Sequence, residues 1–182
     1  MDRLVSGAKA FYAPAELRRR GAQIKLVVTD NDGVLTDAGV YYSDRGEELK
    51  RFNVRDGMGV ERLRNVGIVT AILTRELSGS VKARAAKLKL PFTWLGVLDK
   101  EAHLESILEE TGTKIDELAF IGDDVNDLGL MKIIGSVGLT AAPGDAMGPA
   151  LSNAIYVCKS PGGHGAFREF AEWILSLREG ST

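Results

Sequence analysis

Cysteine is nearly missing from this chain. Cys158 is the single thiol among 182 residues, so an internal disulfide is ruled out and a reducing, cytoplasmic setting is the expectation. A lone cysteine of this kind reads as a small buried apolar side chain, not as a nucleophile. An excess of one charge is missing as well. Lysine and arginine number 23 against 25 acidic residues, a net charge of -2, which gives no basis for nucleic acid or a membrane surface as the main partner. No run approaches the ~20 apolar residues of a membrane span. The N-terminal stretch MDRLVSGAKAFYAPAELRRRG has no apolar core of the signal-peptide kind. Internal repeats and low-complexity segments are also lacking. What the chain does have is 45% hydrophobic residues over 182 positions, enough for one domain with a full core and a small insertion.

Apolar runs bounded by turn signals alternate with segments of helical period. Strands are expected at Ile24–Thr29, Ile68–Leu73, Pro91–Leu95, Leu118–Ile121, Ser136–Leu139 and Ala154–Val157. Helices are expected at Gly57–Val66, Ser78–Leu88, Lys100–Thr111, Asn126–Ile134, Ala146–Ser152 and Ala166–Leu177. Such alternation predicts an α/β fold, a Rossmann-like parallel sheet with helices on both faces, because parallel strands need crossover connections. One segment interrupts it. Gly39–Tyr42 and Glu47–Phe52 surround Asp44-Arg45-Gly46, the pattern of a β-hairpin inserted after the first strand. It is long for a strand-to-helix loop, which implies a task of its own.

In open parallel sheets, ligands sit outside the carboxyl ends of the strands. The polar residues that follow each apolar run should therefore meet. Asp30 and Asp32 follow the first strand, Thr74 the second, Lys100 opens the helix after the third, and Asp123, Asp124 and Asp127 follow the fourth. Carboxylates packed this closely repel one another unless a cation lies between them. Oxygen ligands without His or Cys suit a hard ion, and carboxylates combined with a substrate phosphate suit Mg²⁺. Alternation along an extended segment points Asp30 and Asp32 the same way, bracketing one reacting group. One carboxylate can then attack phosphorus to form an aspartyl-phosphate, while the other protonates the leaving oxygen and later activates water. Lys100 and Thr74 are placed to hold phosphoryl oxygens.

The motifs DNDGVLTD, ILTRELS, Lys100 and IGDDVND resemble the four motifs of the haloacid dehalogenase superfamily of phosphotransferases. GDDVNDLGLM, FNVRDGMG and the tail SPGGHGAFREF are similar to its small, capless phosphatases of 3-deoxy-2-keto sugar acid phosphates. The likeness runs from about Ile24 to the last expected helix. It implies a single phosphatase domain over residues 1–182, with a hairpin at 38–53 that serves oligomerisation. By the resemblance Asp30 is the nucleophile and Asp32 the general acid/base. Mg²⁺ is held by Asp30, the backbone carbonyl of Asp32, and Asp123, with Asp124 and Asp127 in support. Thr74 and Lys100 bind phosphate. The family's members are tetramers in which hairpins pack together and a neighbouring subunit covers each site.

One departure bears on substrate. The octulosonate 8-phosphate enzymes usually carry Thr-Gly-Arg where this chain has Thr74-Arg75-Glu76. Glu76 followed by Arg84 and Lys87, spaced i, i+3 on one helix face, is similar to phosphatases of 2-keto-3-deoxy-nononate 9-phosphate. That likeness makes the nine-carbon acid the expected substrate, with the eight-carbon octulosonate 8-phosphate as the alternative. A non-catalytic tetramerisation module, similar to the C-terminal part of acylneuraminate cytidylyltransferases, is the alternative of another class. A phosphomutase is disfavoured, since no segment is long enough to form a cap that expels water. Arg55 of the RDG signature is expected to line the site. Gly162–Gly165 is expected to form a substrate-covering tail, with Arg168 as an anion contact. His164 is expected to face solvent, His103 to be structural, and Trp94 and Trp173 to be core or interface aromatics.

Overall fold

The computed structural model describes residues 12–179; the N-terminal stretch read for a signal sequence lies partly outside them. A helix absent from the sequence expectations comes first. α1, Pro14–Gln23, begins with Pro near its N-terminus, where a missing N–H costs nothing. Six parallel strands follow as β1 (Leu26–Thr29), β4 (Val69–Leu73), β5 (Phe92–Trp94), β6 (Leu118–Ile121), β7 (Leu139–Ala142) and β8 (Tyr156–Val157). Between β1 and β4 lie the antiparallel pair β2 (Thr36–Ser43) and β3 (Gly46–Phe52), and then α2 (Val54–Arg64). The remaining helices are α3 (Gly79–Lys87), α4 (Leu104–Thr111), α5 (Leu128–Val137), α6 (Gly148–Asn153) and α7 (Ala166–Glu179).

The sheet order is β5-β4-β1-β6-β7-β8. Counting only the strands of this sheet, the sequence order reads 3-2-1-4-5-6, that of doubly wound folds, and it reverses between β1 and β6. Strand alternation divides the core. Leu26, Val28, Leu118 and Phe120 point to one side, with Leu104, Ile107, Leu130 and Ile134 of α4 and α5. Val27, Ala119, Ile121 and Ile72 point to the other, with Val60, Leu63, Phe167 and Phe170 of α2 and α7. Trp173 is buried and stacks on Tyr156 at 4.6 Å, and Cys158 is buried as expected. His164 is exposed.

Most element boundaries shift by a few residues from the sequence reading, α2 for instance starting at Val54 and not at Gly57, and two shifts change an element's character. The strand expected at Ser136–Leu139 is the end of α5, and β7 starts only at Leu139. Its Leu-Thr-Ala-Ala carries little strand propensity of its own. Lys100 does not open a helix; it sits in a turn, and α4 begins at Leu104.

Candidate active site

β1 stops at Thr29, but the chain stays tied to β6 through the Asp30 N–H, which donates to the Ile121 carbonyl at 3.0 Å. It then turns sharply, the Asn31 carbonyl accepting the amides of Leu35 at 2.9 Å and Thr36 at 3.1 Å. Gly33 sits in this turn at φ +80°, and a Cβ there would overlap the Asp123 carboxylate. Glycine thus lets the loop after β1 close on the loop after β6.

The turn corrects the expectation that Asp30 and Asp32 lie side by side on an extended segment. The Asp30 Oδ1 accepts the Asn31 N–H at 2.7 Å and pairs with Lys100 Nζ at 2.9 Å. Asp32 instead faces the hairpin, where Lys50 Nζ reaches its two oxygens at 2.7 and 2.8 Å. Both carboxylates still line one cavity of about 240 Å³, together with Thr74, Arg75, Glu76, Asp123 and Asp124.

Asp127 organises the acidic side from a fully buried position. Its Oδ1 takes the Lys100 ammonium at 2.6 Å, and its Oδ2 accepts the amides of Asp123 at 2.9 Å and Asp124 at 3.3 Å. Lys100 is itself 1% exposed. Burial alone would lower its pKa, but Asp30 and Asp127 outweigh that and hold it above the ordinary value. Burial, with repulsion from Asp127, raises Asp30 despite the pull of Lys100. Asp123 is pushed up to about 7 by burial and by the charges of Asp127 and Asp124.

One oxygen each from Asp30, Asp123 and Asp127 lies within 4.8 Å of the others. The donors are all oxygen and their charges repel, which fits a hard divalent cation. Both oxygens of Asp127 are already committed to Lys100 and the two amides, so Asp30 and Asp123 are the pair turned to such an ion. Asp124 caps the 3₁₀ turn Val125–Asp127 by accepting the Val125 N–H at 2.6 Å. The Thr74 side chain is anchored, its Oγ1 accepting the Glu76 N–H at 3.2 Å. Its backbone joins β5, the N–H donating to the Trp94 carbonyl at 2.9 Å.

The outer residues separate. Glu76 is exposed on the cavity wall. Arg84 turns inward, lying 5.6 Å over the Phe52 ring and donating to the Asn53 carbonyl at 3.0 Å, while Lys87 is exposed. They therefore do not share one solvent-facing surface. Arg55 is exposed on the first turn of α2, outside the cavity lining. Arg168 also lies outside that lining and pairs with Glu172 at 2.7 Å. The segment Gly162–Gly165 is pinned, not loose. Gly162 N–H donates to Asp145 at 2.8 Å, Gly163 N–H to the Val34 carbonyl at 2.9 Å, and Asn53 Nδ2 to the Gly163 carbonyl at 3.1 Å.

Sequence reasoning missed Lys50, because a lysine in a hairpin strand reads as solvated. The one available signal is its i, i+2 relation to Phe52, which puts both on the covered face of β3.

A doubly wound sheet with this acidic cluster at its switch point defines the haloacid dehalogenase class of hydrolases. A hydrolase of that superfamily, subfamily III A, from Legionella pneumophila superposes with a TM-score of 0.85 at 35% identity, over 91% of this chain and 89% of that one. The 3-deoxy-D-manno-octulosonate 8-phosphate phosphatase KdsC of Yersinia pestis is 36% identical over 176 residues, 94% of this chain and 92% of the relative. The chain belongs to this KdsC family of the superfamily. A solved 3-deoxy-D-manno-octulosonate 8-phosphate phosphatase from Moraxella catarrhalis, in complex with magnesium ion, phosphate ion and KDO, matches at 32% identity. Its TM-score is 0.84 over 90% of this chain and 92% of that one. No family model matches the chain.

Proposed function

We propose that this chain is a Mg²⁺-dependent phosphomonoesterase acting on a 3-deoxy-2-keto sugar acid phosphate, with 3-deoxy-D-manno-octulosonate 8-phosphate as substrate. The observation that carries the proposal is the buried Asp30, paired with Lys100 at 2.9 Å and clustered with Asp123 at the switch point. Asp30 attacks phosphorus and forms an aspartyl-phosphate; Asp32 protonates the leaving oxygen and then takes a proton from the attacking water. Lys100 and Thr74 hold phosphoryl oxygens. Asp30, the backbone carbonyl of Asp32, and Asp123 would hold Mg²⁺, which when bound offsets charge on the phosphoryl group.

The expected nine-carbon preference gives way because the named relatives act on the eight-carbon acid. It survives as a second reading on one observation: Glu76 stands on the cavity wall. The exposed Tyr41, Tyr42 and Leu49 of the hairpin support a homotetramer. Among the described residues no helix is long and apolar enough to cross a membrane; together with the single free cysteine this supports a cytoplasmic enzyme.

The test is phosphate release from the eight- and nine-carbon sugar acid phosphates, with and without Mg²⁺. The eight-carbon ester should turn over faster and only with Mg²⁺, and Asp30→Asn should lose roughly 10³-fold or more. Undiminished release by Asp30→Asn would remove the nucleophile. Release from neither ester would leave the assembly-module alternative standing.

A further inference from the structure

We propose that Lys50 is a positioning residue for the acid/base carboxyl of Asp32, which makes the inserted hairpin part of the catalytic apparatus and not only an assembly surface. The inference rests on the phosphatase reading above and adds a residue to it.

The Lys50 side chain is 1% exposed although it stands in a two-stranded ribbon that is otherwise largely open to solvent. Lysine is almost never buried this completely without a charged partner. Here the ammonium meets both oxygens of Asp32, at 2.7 and 2.8 Å. Its second acidic neighbour is Glu47, at 3.6 Å. Glu47 in turn accepts a hydrogen bond from the Ser78 hydroxyl, and that hydroxyl caps α3 by accepting the Val81 N–H at 3.3 Å. A continuous polar chain thus runs from the loop after β1, through the hairpin, to the helix that follows the Thr74 loop.

Asp32 needs such a partner. The turn at Asn31 carries it off the line of β1, and its other contacts are neutral and longer: Asn31 Nδ2 at 3.1 Å and Thr36 Oγ1 at 3.3 Å. The ammonium is the only charged group that touches it among the described residues. A carboxyl group gripped at both oxygens cannot swing toward Asp123, and it keeps the side turned to the cavity, where an ester oxygen departs. The geometry matters for one bond. Asp30 Oδ joins phosphorus as the ester P–O bond breaks, and the departing alkoxide takes the Asp32 proton. Water then attacks phosphorus, its proton returns to the Asp32 carboxylate, and the Asp30–phosphorus bond breaks to give inorganic phosphate.

Leaving-group dependence separates positioning from general damage. Nitrophenolate departs without a proton, whereas a sugar alkoxide needs one. The kcat/KM for 3-deoxy-D-manno-octulosonate 8-phosphate and for 4-nitrophenyl phosphate, which covers formation of the aspartyl-phosphate but not its hydrolysis, would be compared for wild type, Lys50→Met, Lys50→Arg, Asp32→Asn and the Asp32→Asn/Lys50→Met pair. The loss in Lys50→Met should be larger on the sugar acid phosphate than on the aryl ester by about 100-fold, the lower end of what a positioned proton donor contributes. Lys50→Arg should recover part of it. The double variant should lose nothing beyond Asp32→Asn, since the two act as one unit. Equal losses on both esters, or additive losses in the pair, overturn the proposal. Should Lys50→Met not fold, Lys50→Arg decides, because it must show the same split in smaller measure. A wild type inert on both esters sinks the phosphatase reading itself; an active wild type with an unsplit Lys50 series sinks this inference alone.

Discussion

Asp127 exposes no surface, yet it sets where other carboxylates stand. By holding the amides of Asp123 and Asp124 and the Lys100 ammonium, it fixes one acidic loop against another. The cost of that crowding appears at Asp123, pushed from 3.8 up to about 7 by burial first and then by Asp127 and Asp124. The sign follows directly. A carboxyl raised in the folded state keeps a proton that the unfolded chain has shed, so its contribution to stability is present at low pH and fades as pH climbs through about 7. Divalent-ion binding has the opposite trend, because the ion must displace that proton. Mg²⁺ affinity should fall by at least about tenfold for each pH unit below 7, because Asp30, which burial also raises, must give up its proton as well. Calorimetric Mg²⁺ titrations on both sides of neutrality check this, and a pH-independent affinity would show that Asp123 is not a ligand. These acids were legible in sequence because each ends an apolar run. Lys50 was not, since nothing local tells a buried lysine from a solvated one before its partner is placed.

At the scale of elements, what was legible depended on how much of each element's burial is apolar. β1, β4 and β6 announce themselves with Val, Ile, Leu and Phe. α1 does not. It reads Pro-Ala-Glu-Leu-Arg-Arg-Arg-Gly-Ala-Gln, and besides Leu17 and Gly21 its buried residue is Arg20. Arg20 donates to the carbonyls of Gly135, Ser136 and Gly138 at 2.9 to 3.0 Å, at the end of α5. A helix held by a charge on distant carbonyls leaves no period in the sequence. The hairpin shows the converse, with apolar residues and no core to enter: Tyr41, Tyr42 and Leu49 are 63%, 70% and 64% exposed. Such a surface is the one that the proposed homotetramer would cover. Tyr41→Glu combined with Leu49→Glu, cross-strand neighbours on one face, should therefore dissociate the proposed tetramer while leaving the fold intact, because each unpaired charge at an interface core costs roughly 3–5 kcal/mol. Light scattering reads the mass. An unchanged oligomer, or a wild type already monomeric, would remove the hairpin as its contact.

For the whole molecule, the strand order brings the loops after β1 and β6 together, and the segment before the last helix then packs on that junction. α7 packs on α1 and α2, while the segment just before α7 lies on the loop after β1. Gly162 is the tightest point, since a Cβ there would overlap the Gly33 carbonyl, and Gly33 already abuts Asp123. The sequence showed a glycine-rich stretch, which reads equally as a loose tail. Only the fold reveals that its lack of side chains is a condition of close packing. Gly162→Ala should displace the turn that carries Asp32 and, through Gly33, the carboxylate of Asp123. Overpacking of this kind costs roughly 1–3 kcal/mol, so the melting temperature should drop. The distinguishing expectation is a second loss: the rise in melting temperature produced by Mg²⁺ should shrink as well, because the two loops no longer meet at the same spacing. Melts with and without Mg²⁺ measure both terms in one experiment. A lowered melt with a full Mg²⁺ response would mean that the tail stabilises the domain without bearing on the ion site, and would confine coupling to the β1 and β6 loops.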